Sequence, residues 1–253
     1  MRSQVDLALL GLFCVALGAG CAAPPTELPE VHTTYIGVTP AYADQAYSRL
    51  EGFSLQDPMR ELTLRVLPLE AGLDAARKGE IAFLITAAEP PADWFATPLE
   101  QSALLIITSS NPGVPGLTQR ELREIYTGQT TDWSQVDGRE RPIQPMIYIE
   151  GDELRTTFEA VVMSSSRLTP NARLLPDPAS MAEAVRSTPG AIGLLPDYAS
   201  VSDLTVLSLD GYRPSAVNVS NGSYPLLLTW SALAPHEPEG LARAWLVWIQ
   251  ESE

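Results

Sequence analysis

Two hydrophobic periods alternate between Thr33 and Thr86, and that alternation leaves few architectures open. Thr34-Tyr35-Ile36-Gly37-Val38 is strand-like, Thr39 and Pro40 suit the N-cap and first position of a helix, and a second strand is expected near Leu62 to Leu67. Ala43, Ala46, Tyr47 and Leu50 give the intervening helix one apolar face. A second helix is expected from about Leu69 to Lys78, stopped by Gly79. Ile81 to Ile85 then forms a continuous apolar run suited to a strand covered on both faces. Strand, helix, strand, helix, strand is the order of an α/β fold with a largely parallel sheet.

The rest of the chain continues in the same style. Leu104 to Ile107 reads as a buried strand, after which residues 111–116, NPGVPG, break the pattern at a candidate hinge. Thr118 and Glu121 have the capping-box spacing, Leu117 and Leu122 suit a hydrophobic staple, and Gly128 stands where a helix over residues 119–127 should end. Ile143 to Ile149 reads as a strand, and Leu154, Phe158, Val161 and Val162 mark a helical face. Ser180 and Glu183 offer a second capping box ahead of Pro189-Gly190. Strands are expected at Ala191 to Leu195, Leu204 to Leu209 and Tyr224 to Leu233. In the closing helix Leu241, Ala244, Trp245, Trp248 and Ile249 share one face, as core packing. No internal repeat is present, and 253 residues suit two α/β lobes.

Arg2 and an uncharged apolar run from Leu7 to Gly20 have the pattern of an export signal, too short for the roughly 20 residues of a spanning helix. The run ends in Gly18-Ala19-Gly20 directly before Cys21, which points to a lipoprotein signal over residues 1–20 and lipidation of the Cys21 thiol. Cys14 leaves with the signal, so no disulfide is expected. Residues 21–32 hold three prolines and read as an extended tether. The chain carries 16 basic and 31 acidic residues, and cleavage removes one of each, leaving a net charge of −15. Such a charge repels phosphate backbones and anionic lipid, which argues against a nucleic-acid partner.

Little in the sequence supports catalysis. The two histidines, His32 and His236, lie in turn-rich surroundings. No G-x-S-x-G elbow, metal-binding H-E-x-x-H, paired cysteine spacing, G-x-G-x-x-G or P-loop occurs, so no enzyme, metal or cofactor is expected and a binding protein is the default. Thr39, Ala41 and Tyr42 sit at a helix start on the carboxyl edge of a strand, where backbone N–H groups receive small anions, although they also suit a plain cap. Thr86 and Ala87 follow the strand of Phe83 and either line the same edge or lead into Pro90-Pro91.

Residues 117–133, LTQRELREIYTGQTTDW, resemble the segment L-s-x-x-e-L-x-x-I-f-x-G-x-i-t-n-W of phosphate-type substrate-binding proteins of ABC transporters. Gly151 to Glu159, Pro189 to Gly193 and Asn221 to Leu226 resemble further segments in the family's order. The resemblance implies a two-lobed, periplasmic-binding-protein-like type II α/β fold with a mixed, mostly parallel sheet in each lobe. Residues 33–106 and 215–253 would form one lobe and residues 107–214 the other. It implies a monomeric, extracytoplasmic, lipid-anchored protein that captures a small solute, phosphate or a related oxyanion first, for an ABC permease. The alternative is a degenerate binding-protein fold serving as a non-transport sensor or scaffold lipoprotein.

The family's anion-binding segment reads G-S-G-T-R-x-x-F-E. Here Gly151, Arg155, Phe158 and Glu159 are kept, while Asp152 and Leu154 replace Ser and Thr. By resemblance, Gly151, Asp152 and Arg155 face the ligand from the second lobe. A carboxylate at 152 only accepts hydrogen bonds and repels a phosphate dianion, and Asp152 also suits the cap of the helix that Leu154 and Phe158 pack down. N–H groups and Arg155 converging across a gap favour the transport reading, and a cleft filled by Leu154 and Tyr42 favours the alternative.

Overall fold

The computed structural model describes residues 33–54, 61–109 and 112–252; the signal at 1–20, Cys21 and the tether at 21–32 lie outside them. The alternating N-terminal segment folds as β1 (Thr34–Val38), a 3-10 turn (Pro40–Tyr42), α1 (Ala43–Ser54), β2 (Leu62–Val66), α2 (Leu69–Arg77) and β3 (Leu84–Thr86). β1 lies between β2 and β3 and runs parallel to both. β3 starts at Leu84, later than the apolar run suggested; ahead of it Ile81 and Phe83 are buried, the Ala82 N–H reaches Tyr35 O and Phe83 O accepts the Gly37 N–H.

A 14-residue strand, β4 (Phe95–Thr108), follows and is far longer than the Leu104 to Ile107 run. After it come β5 (Gly116–Leu117), α3 (Gln119–Thr127), β6 (Gln144–Tyr148), α4 (Glu153–Phe158), β7 (Arg173–Leu175), α5 (Pro178–Ser187), β8 (Ala191–Pro196), β9 (Thr205–Leu209), α6 (Ala216–Ser220), β10 (Leu227–Ala234) and α7 (Gly240–Glu251). The strands join in the order β2-β1-β3-β10-β4-β8-β6-β7, with β9 on β4 and β5 on β9. The sheet is mixed. Parallel pairs occupy both ends, and antiparallel pairs through β10 and β4 join them. β4 changes partner part-way: Phe95 to Ala103 pairs with β10, and Leu104 to Thr108 pairs with β8.

Local signals set several boundaries. Thr118 Oγ1 accepts the Glu121 N–H at 3.2 Å, the Glu121 carboxylate accepts the Thr118 N–H at 2.8 Å, and Gly128 takes the left-handed conformation (φ 81°) that ends α3. The expected Ser180 box does not form. Asp177 caps α5 by accepting the Ser180 N–H at 2.7 Å, with Pro178 at the first position, so the earlier cap wins. α4 runs into a π-helical turn, Glu159–Met163, that buries Val162 and Met163.

Buried aromatic residues stitch the core through their polar ends. Tyr126 donates to Met146 O at 2.9 Å, Tyr148 to Leu194 O at 2.8 Å, Tyr224 to Leu104 O at 3.0 Å, and Trp230 Nε1 to Ser102 Oγ at 2.9 Å. Each ring thus buries its apolar body and keeps its donor satisfied. Trp245 of α7 packs parallel to Phe83 with ring centroids 6.0 Å apart, as core and not as a surface site. No described helix is long and apolar enough to cross a membrane.

Candidate functional site

The carboxyl ends of β1 and β3 lie side by side, since both strands are parallel and adjacent. Thr39 follows β1 and Thr86 ends β3, and both are buried. Thr39 was expected to cap the following helix, but its side chain makes no cap hydrogen bond. Its hydroxyl instead donates to the carboxylate of Glu153 and approaches Ile85 O at 3.3 Å. Thr86 donates to the same carboxylate, and the Ala87 N–H reaches Glu153 Oε2 at 2.9 Å. Three donors at the carboxyl ends of β1 and β3 therefore converge on one carboxylate from α4.

Glu153 is 4% exposed and occupies the first position of α4. Asp152 caps that helix, accepting the Leu154 N–H at 2.9 Å and the Arg155 N–H at 3.3 Å, which fixes the direction in which Glu153 points. Burial pushes the Glu153 carboxyl up to about 7, with the hydrogen bonds from Thr39, Thr86 and Ala87 pulling the other way and the charge of Asp152 adding to the rise. Burial also raises Asp152, against its two cap N–H groups and Arg155. Among the described residues the direct partners of Glu153 are two hydroxyls and an amide, with no cation among them.

The structure brings Thr39, Thr86 and Ala87 together, sets Gly151 and Asp152 beside Thr39 along one cavity, and commits the side chains of Tyr42 and Arg155 to other partners. The Tyr42 hydroxyl donates to Glu100 at 2.8 Å, and Arg49 pairs with the same carboxylate. The Tyr42 ring stacks on Trp230 with centroids 4.6 Å apart, so it is core rather than cleft. Ala41 is buried, and its carbonyl accepts the Tyr198 hydroxyl from the loop after β8. Arg155 is held along its own helix by Glu159 at 2.8 Å and by Tyr148 O at 3.3 Å. Asp152 is a cap, and Gly151 (φ 84°) supplies the turn into it. Gly151, Asp152 and Glu153 line a cavity of about 270 Å³ together with Thr39, Glu70 and Ile149.

Glu153 is the residue that motif reading passes over. It stands at the second glycine of G-S-G-T-R, so a side chain with a charge has entered a position where the motif has none. Leu154 and Tyr42 are fully buried, but neither fills the seat between the donors; Glu153 does. Among the described residues no group of His, Cys, Asp and Glu is arranged to hold a metal ion.

A family model described as a PBP superfamily domain matches residues 23–253. The chain belongs to the PBP superfamily. A curated relative in that setting is the phosphate-binding protein PstS of Bacillus subtilis (strain 168), 28% identical over 143 residues, or 56% of this chain and 47% of the relative. The match thus spans about half the length of the curated relative. Among solved PBP-fold structures, a putative phosphate ABC transporter substrate-binding protein with bound phosphate from Clostridium perfringens superposes with a TM-score of 0.79 at 20% identity, covering 86% of this chain and 93% of that one. An ABC-type phosphate transport receptor from Vibrio cholerae gives 0.72 at 20% identity, covering 87% and 94%. The resemblance to phosphate-type binding proteins holds at the level of family and fold.

Proposed function

We propose that this chain is an extracytoplasmic solute-binding protein that captures a small oxyanion, phosphate first, and presents it to an ABC permease. The observation that carries the reading is the donor set of Thr39, Thr86 and Ala87, which already holds a carboxylate at the carboxyl ends of β1 and β3. Hydroxyls and amides that satisfy two carboxylate oxygens also suit two oxygens of phosphate. Residues 33–106 with 215–253, and residues 107–214, act as two lobes, in keeping with the change of partner along β4. The monomer is anchored by lipid on Cys21 after residues 1–20 are removed. It performs no chemical step and uses no cofactor. Relatives named as phosphate-binding proteins support the ligand class.

Calorimetry against phosphate, sulfate and molybdate tests the reading. Saturable phosphate binding that Thr39→Val and Thr86→Val weaken is the expected result. An absence of binding up to millimolar ligand, both in the unmodified chain and in variants at Glu153, overturns it. Metabolic labelling with a fatty acid, lost on Cys21→Ser, tests the anchor.

A further inference from the structure

The donors that would receive a solute are already taken, and what takes them belongs to the chain. Thr39 and Thr86 donate to Glu153 across 114 and 67 positions of sequence, and the Ala87 N–H completes the set at 2.9 Å. Glu153 is rigidly presented. It follows the Asp152 cap, it begins a helix whose Leu154 and Phe158 are fully buried, and its own side chain is almost wholly enclosed. A second contact crosses nearby, from the Tyr198 hydroxyl to Ala41 O. Both contacts join residues before β4 to residues after it, so both tie the two sides of the cleft through the chain's own groups.

We propose that Glu153 is an internal ligand whose carboxylate occupies the oxyanion seat of Thr39, Thr86 and Ala87, holds the cleft shut, and must be displaced before a free oxyanion binds. The inference rests on the oxyanion reading above in taking those donors as the solute's seat. A group tethered on a short, ordered segment competes at an effective concentration in the millimolar range or above, so it lowers the apparent affinity for a free competitor without blocking the site permanently. Two anions cannot share three donors in a buried space, and among the described residues no cation contacts the Glu153 carboxylate to hold both. Glu153 therefore sets the threshold concentration at which solute enters.

The test compares the unmodified full chain with Glu153→Ala, which removes the carboxylate, and Glu153→Gln, which keeps its shape without the charge. Inorganic phosphate binding is measured by calorimetry, and the radius of gyration without ligand by small-angle scattering. The expected result is phosphate binding about tenfold tighter or more in Glu153→Ala, an intermediate gain in Glu153→Gln, and a larger ligand-free radius in Glu153→Ala that phosphate reduces. Equal phosphate affinity in all three chains overturns the internal ligand and leaves oxyanion capture standing. No phosphate binding in any chain, with the variant still expanded, supports the internal latch and overturns oxyanion capture. No binding and no expansion overturns the proposal.

Discussion

Thr86, at the end of β3, donates its hydroxyl to Glu153, the first residue of α4, across 67 positions of sequence. One contact thus reports on two things: the fold, because it joins a residue before β4 to one after it, and the candidate site, because it engages the carboxylate that Thr39 and Ala87 also hold. Substitutions at either residue can be read for both.

The Glu153 carboxyl titrates near pH 7 in the folded protein against 4.5 for an ordinary glutamate. The folded state therefore holds its proton more tightly than the unfolded chain. The stability this group contributes is fully present below pH 4.5 and is lost as pH rises through 7, by about 3 kcal/mol. Asp152 and Tyr198 interact with the same carboxylate, and Asp152, itself raised by burial, changes stability in the same sense. Urea midpoints at pH 5 and pH 8 should fall for the unmodified chain and fall less for Glu153→Gln. An equally steep fall in the variant would assign the titration to another group.

Thr39→Val and Thr86→Val keep shape and remove one donor each from the buried carboxylate, at a cost of about 1–3 kcal/mol. The cost should be larger at pH 8 than at pH 5, because only the ionised form needs every donor. Thr86→Val should be the worse of the two. Thr86 Oγ1 also accepts the Ala88 N–H at 3.1 Å, whereas Ile85 O, the other neighbour of the Thr39 hydroxyl, keeps the Thr39 N–H at 3.1 Å. Chemical denaturation of both variants at the two pH values checks the order.

What could be read in the sequence follows the range of the interaction. The α3 boundaries were legible because Thr118, Glu121 and Gly128 act within ten residues of one another. The cap of α5 was misplaced because two capping patterns overlap there, and Asp177 with Pro178 outcompetes Ser180. The polar first half of β4 was invisible as a strand, since its partner β10 lies over a hundred residues away. Thr39, Thr86 and Ala87 were legible as strand-end residues, but their partner was not. A glutamate in the first turn of a helix is ordinary in sequence, favoured by the helix dipole, and its reach to β1 and β3 exists only in the tertiary fold.

Arg155→Ala should leave phosphate affinity within about threefold, measured in the Glu153→Ala background where the seat is free. Its guanidinium is committed to Glu159 and to Tyr148 O, so its removal costs stability, about 1 kcal/mol, rather than binding. A loss of phosphate affinity of tenfold or more would mean that Arg155 swings from Glu159 into the opened cleft.

Tyr198→Phe separates the second cleft contact from the first. The ring stays in place, edge-on to Tyr42 at 6.0 Å and 6.1 Å from Trp230, and only the hydrogen bond to Ala41 O is lost. The expected cost is about 1 kcal/mol. Burial drives the phenol's ionisation far above its solution value, with Glu153 among the charges that raise it further, so Tyr198 is neutral throughout the working range. The loss should therefore be the same at pH 5 and pH 8, in contrast to Thr39→Val and Thr86→Val. If Tyr198→Phe were instead costlier at pH 8, the two contacts would be coupled: release of Ala41 would loosen the turn that carries Thr39, and the ionised Glu153 would lose a donor through a residue that does not touch it.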